Sequence, residues 1–450
     1  MHVEGDVALS SSRLADQRST ISRAEYSSAW GRYSSIVLVT ILFLLFSSAY
    51  NYMTPATTPA ILHSLDGGAA NPDEPAHMLY VESIASGHIP VFSSKNGDYE
   101  AHQPPLYYII AACADKLAPS DPDKAVHVDR WAATLLAVAL IWVTFFVVRE
   151  VLPDRPNIAA ATAAIVALIP MNLSLGSSVG NDTAANLVFA LYLLVVERYF
   201  RRPEKHILYG VLLAIVLGAG VWTKSSTLLL FPLTLAALVC ASALRLIPTK
   251  AAAVSGLIAF AGSAALSLPW LLRNQRLYGD LLAEKVIFHD LASRNVAPSA
   301  LIGALGQTWY IERFFAWTFA SYWGVFDSMN LFLPTNVYVC IAVVSIPVLI
   351  WGSIALAKTR TTVLERASLL QWVLLVLLTV FAYVQYNVHF FQVQGRYLYP
   401  ALIPLTAAAV YGLAEITPKR YAQWVAAALI GSLVLLNLLS LTMISGRYSL

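Results

Sequence analysis

The sequence predicts an all-α protein that crosses a membrane about eleven times. Of its 450 residues, 58% are hydrophobic and only 12% are charged, whereas soluble domains carry about a quarter charged residues. Apolar runs long enough to cross a hydrocarbon core about 30 Å thick recur along the chain. The formal net charge of +3 is small and dispersed, so the composition indicates no nucleic-acid partner.

Hydropathy and charge together give the number of spans. Candidate helices lie near 36–53, 105–117, 131–149, 157–173, 183–199, 206–222, 226–246, 251–271, 336–357, 369–388, 397–414 and 422–443. Lys and Arg are enriched in cytoplasmic loops. The basic N-terminus and the later basic loops lie on the same side of the membrane only if one of the twelve candidates does not cross it. Segment 105–117 would form a helix only about 20 Å long. We therefore expect it to be re-entrant or interfacial, which leaves eleven spans, a cytoplasmic N-terminus and an external C-terminus.

This topology divides the chain into four segments. They are a flexible cytoplasmic tail (1–35), an N-terminal transmembrane module (36–271) that includes an external loop (54–130), a second external loop (272–335) and a C-terminal transmembrane module (336–450). Aromatic residues concentrate between Trp309 and Trp323. Because aromatic side chains accumulate at membrane interfaces, we expect the second external loop to lie on the membrane, with juxtamembrane helices outside the bilayer.

An acidic pair follows the first span, in Asn71-Pro-Asp73-Glu74-Pro-Ala-His77. Pro75 suits the first turn of a helix, which would place His77 close to both carboxylates. Such a group can deprotonate a hydroxyl or hold a divalent cation. A purely structural acidic helix start explains the same residues equally well.

A second polar group leads into the short apolar segment, in Tyr99-Glu100-Ala-His102-Gln103-Pro104-Pro105. The two prolines prevent a helix from starting earlier. His102 and Gln103 are therefore candidates for substrate binding, although tyrosines at a membrane interface are also common.

Four cations lie at the external ends of predicted spans. They are Arg130, Lys224, Arg273 and Arg396, the last followed by Tyr397. Several cations on one face can bind a phosphate, and arginine offers a bidentate fork for it. The alternative for each one singly is a side chain that anchors a helix at the interface. Asp182 is expected to cap a helix that begins at Thr183, and the alternative for it is substrate binding.

These residues resemble the GT-C superfamily of membrane glycosyltransferases. The resemblance rests on an Asp-Glu pair in the first external loop, a polar residue before Pro-Pro, and an Arg that opens the next span. It is closest to protein O-mannosyltransferases and aminoarabinose transferases, and to uncharacterised bacterial membrane proteins with a similar Gln-Gly-Arg-Tyr stretch. It is strongest over 71–150 and 175–235, and returns at 270–280 and 392–400.

The resemblance implies roles for several of these residues. Asp73 matches the acid that acts as base, with Glu74 beside it. Gln103 occupies the position before Pro-Pro that is His or Lys in the two enzyme groups, and His102 stands one residue early. Arg130 matches the arginine thought to meet the donor phosphate. Lys224 and Arg396 are similar to other cations on the phosphate side.

The expected function is therefore an inverting glycosyltransferase of the plasma (inner) membrane. It would move a sugar from a polyprenyl-phosphate donor, held in membrane lipid, to an acceptor hydroxyl or other nucleophile on the external side of the membrane. No cofactor is required for this chemistry, and a divalent cation is compatible with it. The alternatives are a transporter or flippase of a lipid-linked or anionic substrate and an inactive scaffold. Transporters concentrate ionisable residues near the midplane and often repeat internally, neither of which this sequence indicates.

Overall fold

The computed structural model describes residues 33–55, 71, 73–92 and 99–448. The expected tail thus lies almost wholly outside the described residues, as does part of the first external loop. In chain order the helices are α1 (Tyr33–Met53), α2 (Glu74–Ala85), α3 (Leu106–Asp115), α4 (Pro122–Val151), α5 (Pro156–Leu168), α6 (Pro170–Leu175), α7 (Asp182–Arg201), α8 (His206–Val221), α9 (Leu230–Ala243), α10 (Thr249–Tyr278), α11 (Glu284–Arg294), α12 (Pro298–Leu305), α13 (Gln307–Trp323), α14 (Thr335–Thr359), α15 (Val363–His389), α16 (Leu402–Ile416) and α17 (Ala422–Tyr448). Strands β1 (Val325–Phe326) and β2 (Leu331–Phe332) pair antiparallel. The all-α prediction is confirmed.

Ten helical segments in the described residues are long and apolar enough to cross a membrane. They contain α1, α4, α7 to α10 and α14 to α17, some lengthened by an adjoining 3-10 turn. Helix α3 is not among them, as predicted, because its 10 residues extend only about 15 Å. It packs instead on α2, where Tyr80 stacks on Tyr108 with ring centroids 3.8 Å apart.

The one remaining predicted span, 157–173, is a broken helix that consists of α5 followed by α6. Pro170 interrupts it because proline has no backbone N–H and cannot continue the hydrogen-bond ladder. The side-chain amide of Asn172 donates to the Val166 carbonyl at 2.7 Å, and that of Asn437 donates to the Leu168 carbonyl at 2.8 Å. These two amides satisfy carbonyls at the break, which would otherwise be costly in an apolar environment.

The basic loops meet at one end of the helix bundle, which we call the basic end. Ion pairs join them: Arg155 to Glu415 at 3.0 Å, Arg360 to Asp154 at 2.9 Å, and Arg198 to Glu150 at 3.1 Å. Helix α1 also begins there, since the Arg149 guanidinium lies 5.8 Å from the centre of the Tyr33 ring. Helix α17 ends at the opposite end, where Arg447 bonds Asp327 at 3.0 Å. The start of α1 and the end of α17 therefore lie at opposite ends of the bundle.

The segment predicted as an external loop at 272–335 is largely helical. Helix α10 continues to Tyr278, and α11, α12, α13 and the strand pair follow. Helix α13 approaches the backbone of Gly395 so closely that a Cβ atom there would lie 2.3 Å from the Tyr322 nitrogen and 2.4 Å from the Thr318 carbonyl oxygen. This contact fixes the chain immediately before Arg396.

Candidate functional site

The acidic pair begins a helix, as predicted. Asp73 precedes α2 with a left-handed backbone (φ 60), and Pro75 lies in the first turn. Aspartate tolerates this conformation better than most residues. Its carboxylate makes no capping bond and instead accepts a hydrogen bond from Arg396 Nη2 at 2.7 Å. The Asp73 side chain is 35% exposed, whereas that of Arg396 is 4% exposed.

Four ionisable residues form a continuous chain, which we call the charge chain: Asp73, Arg396, Asp182 and Lys224. Arg396 Nη1 donates to Asp182 Oδ2 at 3.0 Å, and Lys224 Nζ donates to the other oxygen of Asp182. The expected capping role of Asp182 is wrong, because α7 begins at Asp182 itself and its carboxylate is occupied by two cations. The fold thus joins the starts of α2 and α7, the turn after α8 and the turn before α16.

The pKa of Asp73 reflects this arrangement. Burial opposes ionisation of the carboxyl group, but the Arg396 guanidinium and, more weakly, His77 hold the pKa below its ordinary value. Asp73 is therefore ionised at neutral pH and only weakly basic while Arg396 contacts it.

Arg130 lies apart from the charge chain in a fully buried clamp. Its Nε and Nη2 bond the two carboxylate oxygens of Glu74, each at 2.8 Å. The remaining donors reach the backbone carbonyls of Asn51, Thr54 and Pro55 at 2.6, 3.0 and 3.0 Å. A guanidinium has five N–H donors, and all five are used here.

Glu74 has further partners around the clamp. It accepts hydrogen bonds from Asn71 Nδ2 at 2.9 Å and from the Val179 backbone N–H at 2.8 Å. Burial opposes its ionisation, but Arg130 and these bonds together hold the pKa of Glu74 below its ordinary value. The clamp therefore attaches the start of α2 to α1, α4 and the turn after α6.

A third group of side chains lies beside Asp73. His77 Nδ1 lies 2.7 Å from the Tyr108 hydroxyl and 4.0 Å from Glu100 Oε2. Glu100 is only 8% exposed. Burial raises the pKa of Glu100 and lowers that of His77. Asp73, His77 and Glu100 each place one potential metal-ligand atom within 4.8 Å of the others.

Glu100 was not among the residues singled out from the sequence. It stands two residues before His102 in the same polar run, so an acidic residue in a short loop beside predicted site residues was the available signal. Tyr108 was also missed, because interfacial tyrosines are common.

The other candidate residues lie around the site rather than in the charge chain. Gln103 Oε1 accepts from Asn181 Nδ2 at 3.2 Å, next to Asp182. The His102 ring packs edge-on against Phe92, with centroids 5.8 Å apart. The Tyr397 ring centre lies 5.2 Å from the guanidinium carbon of Arg396.

Arg273 contacts a different part of the chain. Its Nη2 donates to the Pro90 carbonyl at 2.6 Å, and its guanidinium carbon lies 4.9 Å from the centre of the Trp270 ring. These contacts attach α10 to the segment that follows α2.

Comparison with known protein families identifies the family of this chain. The family described as "Predicted membrane protein (DUF2142)" matches residues 82–406. This chain belongs to that family. The matched region of this DUF2142 protein contains Glu100, Asp182, Lys224 and Arg396, whereas Asp73 and its helix start precede it. No curated protein matches the sequence.

Solved structures confirm the GT-C-like fold of this DUF2142 protein. The Archaeoglobus fulgidus oligosaccharyltransferase tethered with an acceptor peptide superposes with a TM-score of 0.56 at 13% identity, over 93% of this chain and 56% of that chain. The archaeal oligosaccharyltransferase AglB from Archaeoglobus fulgidus, in complex with an inhibitory peptide and a dolichol-phosphate, gives 0.55 at 12% identity, with coverages of 93% and 56%. ArnT from Cupriavidus metallidurans bound to undecaprenyl phosphate gives 0.53 at 14%, over 87% of this chain and 62% of that chain. This chain thus spans less than two thirds of each of these structures.

Proposed function

We propose that this DUF2142 protein is an integral-membrane glycosyltransferase that moves a sugar from a polyprenyl-phosphate donor to an acceptor hydroxyl or other nucleophile. The observation that carries the proposal is the charge chain, which joins two carboxylates and two cations at one end of a GT-C-like bundle. Structures with this fold have been solved in complex with a dolichol-phosphate and bound to undecaprenyl phosphate. A lipid-linked phosphate is therefore the donor class that we assign.

Arg396 and Lys224 are the groups that we assign to the donor phosphate. Both contact Asp182, and a phosphate entering beside them would compete for the same N–H donors. Arginine binds phosphate through two parallel hydrogen bonds. Donors held ready for the leaving phosphate stabilise the charge that develops on it as the glycosidic bond breaks.

Asp73 is the group that we assign as base. While Arg396 contacts it, the carboxylate is ionised but weakly basic. A donor phosphate that draws Arg396 away would allow the pKa of Asp73 to rise towards its ordinary value. Donor binding would thereby prepare Asp73 to accept the proton of the attacking nucleophile. Attack from the face opposite the phosphate inverts the configuration at the anomeric carbon.

Glu74 and Arg130 receive a positioning role in this proposal. The resemblance implied that Arg130 meets the donor phosphate, but its five donors are all bound within the clamp. Glu74 likewise accepts from Arg130, Asn71 and Val179. The pair holds the start of α2, and thus Asp73, in place.

The distribution of Lys and Arg supports an orientation. We propose that the basic end faces the cytoplasm of a plasma-membrane protein and that the charge chain faces the outside. A reporter fused after Leu117 should then be external. A cytoplasmic reporter at that position would overturn the orientation.

The test of activity uses the full chain in lipid nanodiscs with a panel of polyprenyl-phosphate sugars. We expect at least one donor to release polyprenyl phosphate when acceptor-containing membrane extract is added. Failure with every donor, together with donor movement across protein-containing vesicles, would replace the proposal with a lipid transporter. Analysis of the product's anomeric configuration tests the inverting mechanism separately.

A further inference from the structure

We propose that Asp73, His77 and Glu100 form a binding site for a divalent transition-metal ion, for which Mn²⁺ is a suitable probe. One potential ligand atom from each residue lies within 4.8 Å of the other two. That separation allows one ion to contact all three with small side-chain movements. Two of the residues lie four apart at the start of α2, where one helix face presents both, and Glu100 comes from the 3-10 turn Tyr99–His102.

One carboxylate oxygen of Glu100, Oε2, is buried without a hydrogen-bond partner within the described residues. The Glu100 side chain is 10% exposed. A buried polar atom without a partner is unfavourable and usually has a specific explanation. Oε2 is also the atom that lies 4.0 Å from His77 Nδ1, so it faces the other residues of the proposed site.

The ligand atoms of the three residues indicate which class of metal ion the site would bind. Ca²⁺ and Mg²⁺ prefer oxygen ligands alone, whereas an imidazole nitrogen favours transition metals. The Tyr108 hydroxyl lies 2.7 Å from His77 Nδ1, so an ion bound at this nitrogen would replace that hydrogen bond.

Charge also favours a cation between Asp73 and Glu100 rather than beside Asp182. Asp182 already contacts both Lys224 and Arg396. Asp73 and Glu100 together carry two carboxyl groups, and the structure places one cation, Arg396, on Asp73. A divalent ion would supply the opposite charge that a buried carboxylate such as Glu100 needs.

The mechanistic part of this inference rests on the proposed function, whereas metal binding itself does not. A metal ion lowers the pKa of a hydroxyl group bound to it. An acceptor hydroxyl bound to the ion would then lose its proton to Asp73 more easily.

The experiment measures metal binding directly. The full chain in nanodiscs is stripped with a chelator, dialysed against Mn²⁺ and analysed by elemental mass spectrometry and pulsed electron paramagnetic resonance. We expect one tightly bound Mn²⁺ per chain, with a ¹⁴N coupling from His77. Glu100→Gln and His77→Gln should each weaken binding at least ~10-fold.

Glu82→Gln is the matched control, because Glu82 is an exposed carboxylate on the same helix, and it should bind Mn²⁺ like the wild type. Absence of stoichiometric Mn²⁺ in the wild type would overturn the proposal, and so would wild-type binding by both site variants. If the variants fail to fold, the ¹⁴N coupling in the wild type decides, and its absence from bound Mn²⁺ also overturns the site. Metal binding without sugar transfer would refute the proposed function alone, whereas full transfer by metal-free protein would refute only the metal's role in it.

Discussion

The Arg130 guanidinium and the Glu74 carboxylate form a bidentate ion pair, 2.8 Å at both contacts, in which neither side chain is exposed. Removing one partner leaves the other charge buried and unpaired, which typically costs about 3–5 kcal/mol. We therefore expect Glu74→Gln to lower the apparent melting temperature strongly in detergent. The matched control is Arg155→Gln, whose pair with Glu415 is 42% and 28% exposed and should be worth about 0–1 kcal/mol. Equal effects of the two substitutions would contradict the structural role of the clamp.

The same pair predicts a pH dependence of stability. The pKa of Glu74 is held below its ordinary value although burial opposes ionisation. Its stabilisation is therefore complete above the unfolded pKa of about 4.3, and it is lost as the pH falls through the lower pKa of the folded state. The difference in melting temperature between wild type and Glu74→Gln should shrink as the pH drops below about 4.3. A constant difference throughout that acidic range would show that ionised Glu74 is not its source.

Asp73→Asn should abolish sugar transfer while leaving the protein folded. The substitution keeps the shape of the side chain but removes the proton acceptor, so we expect a loss in kcat of about 10²–10⁴-fold. The variant should still fold because Asp73 is partly exposed and because Arg396 keeps its ion pair with Asp182. Release of polyprenyl phosphate and the melting temperature are measured together, with Glu82→Gln as control. Wild-type turnover by Asp73→Asn would remove Asp73 from the role of base.

Arg396→Lys tests the geometry of phosphate binding separately from charge. Lysine keeps the positive charge but cannot reach Asp73 and Asp182 with two separate nitrogens as Arg396 does. We expect KM for the donor to rise at least ~10-fold, equivalent to about 1.4 kcal/mol. The comparison is Arg273→Lys, because Arg273 contacts the Pro90 carbonyl instead. Similar KM values for the two variants would argue against a specific phosphate contact at Arg396.

Gly395→Ala should displace Arg396 without altering any charge. The new Cβ would lie 2.3 Å from the Tyr322 nitrogen and 2.4 Å from the Thr318 oxygen, both backbone atoms that cannot move alone. We expect a destabilisation of about 1–3 kcal/mol together with weaker donor binding. Gly431→Ala is the control, because a Cβ atom there meets nothing within 4 Å and alanine favours a helix. Wild-type stability and donor affinity in Gly395→Ala would show that this close approach is not needed.

The sequence predicted the membrane helices well because their signals are local. Each span is a run of apolar residues whose backbone hydrogen bonds are satisfied within the helix. The charge rule also separated the 10-residue helix α3 from the spans. The helical content of 272–335 was underestimated, since α11 to α13 are short and their aromatic residues were interpreted only as interfacial. The sequence also showed the acidic helix start at Asp73.

The partners of the charged residues depended on the tertiary structure. Arg130 and Arg396 looked alike in sequence, as cations at span ends, yet one is enclosed with Glu74 and the other lies between Asp73 and Asp182. Likewise, only the fold places Glu100 beside His77. A hydrophobic span is specified by its own residues, whereas the cost of burying a charge depends on which opposite charge packs against it. That partner comes from residues far away in the chain, so packing alone determined which ionisable groups stabilise this protein and which form its candidate site.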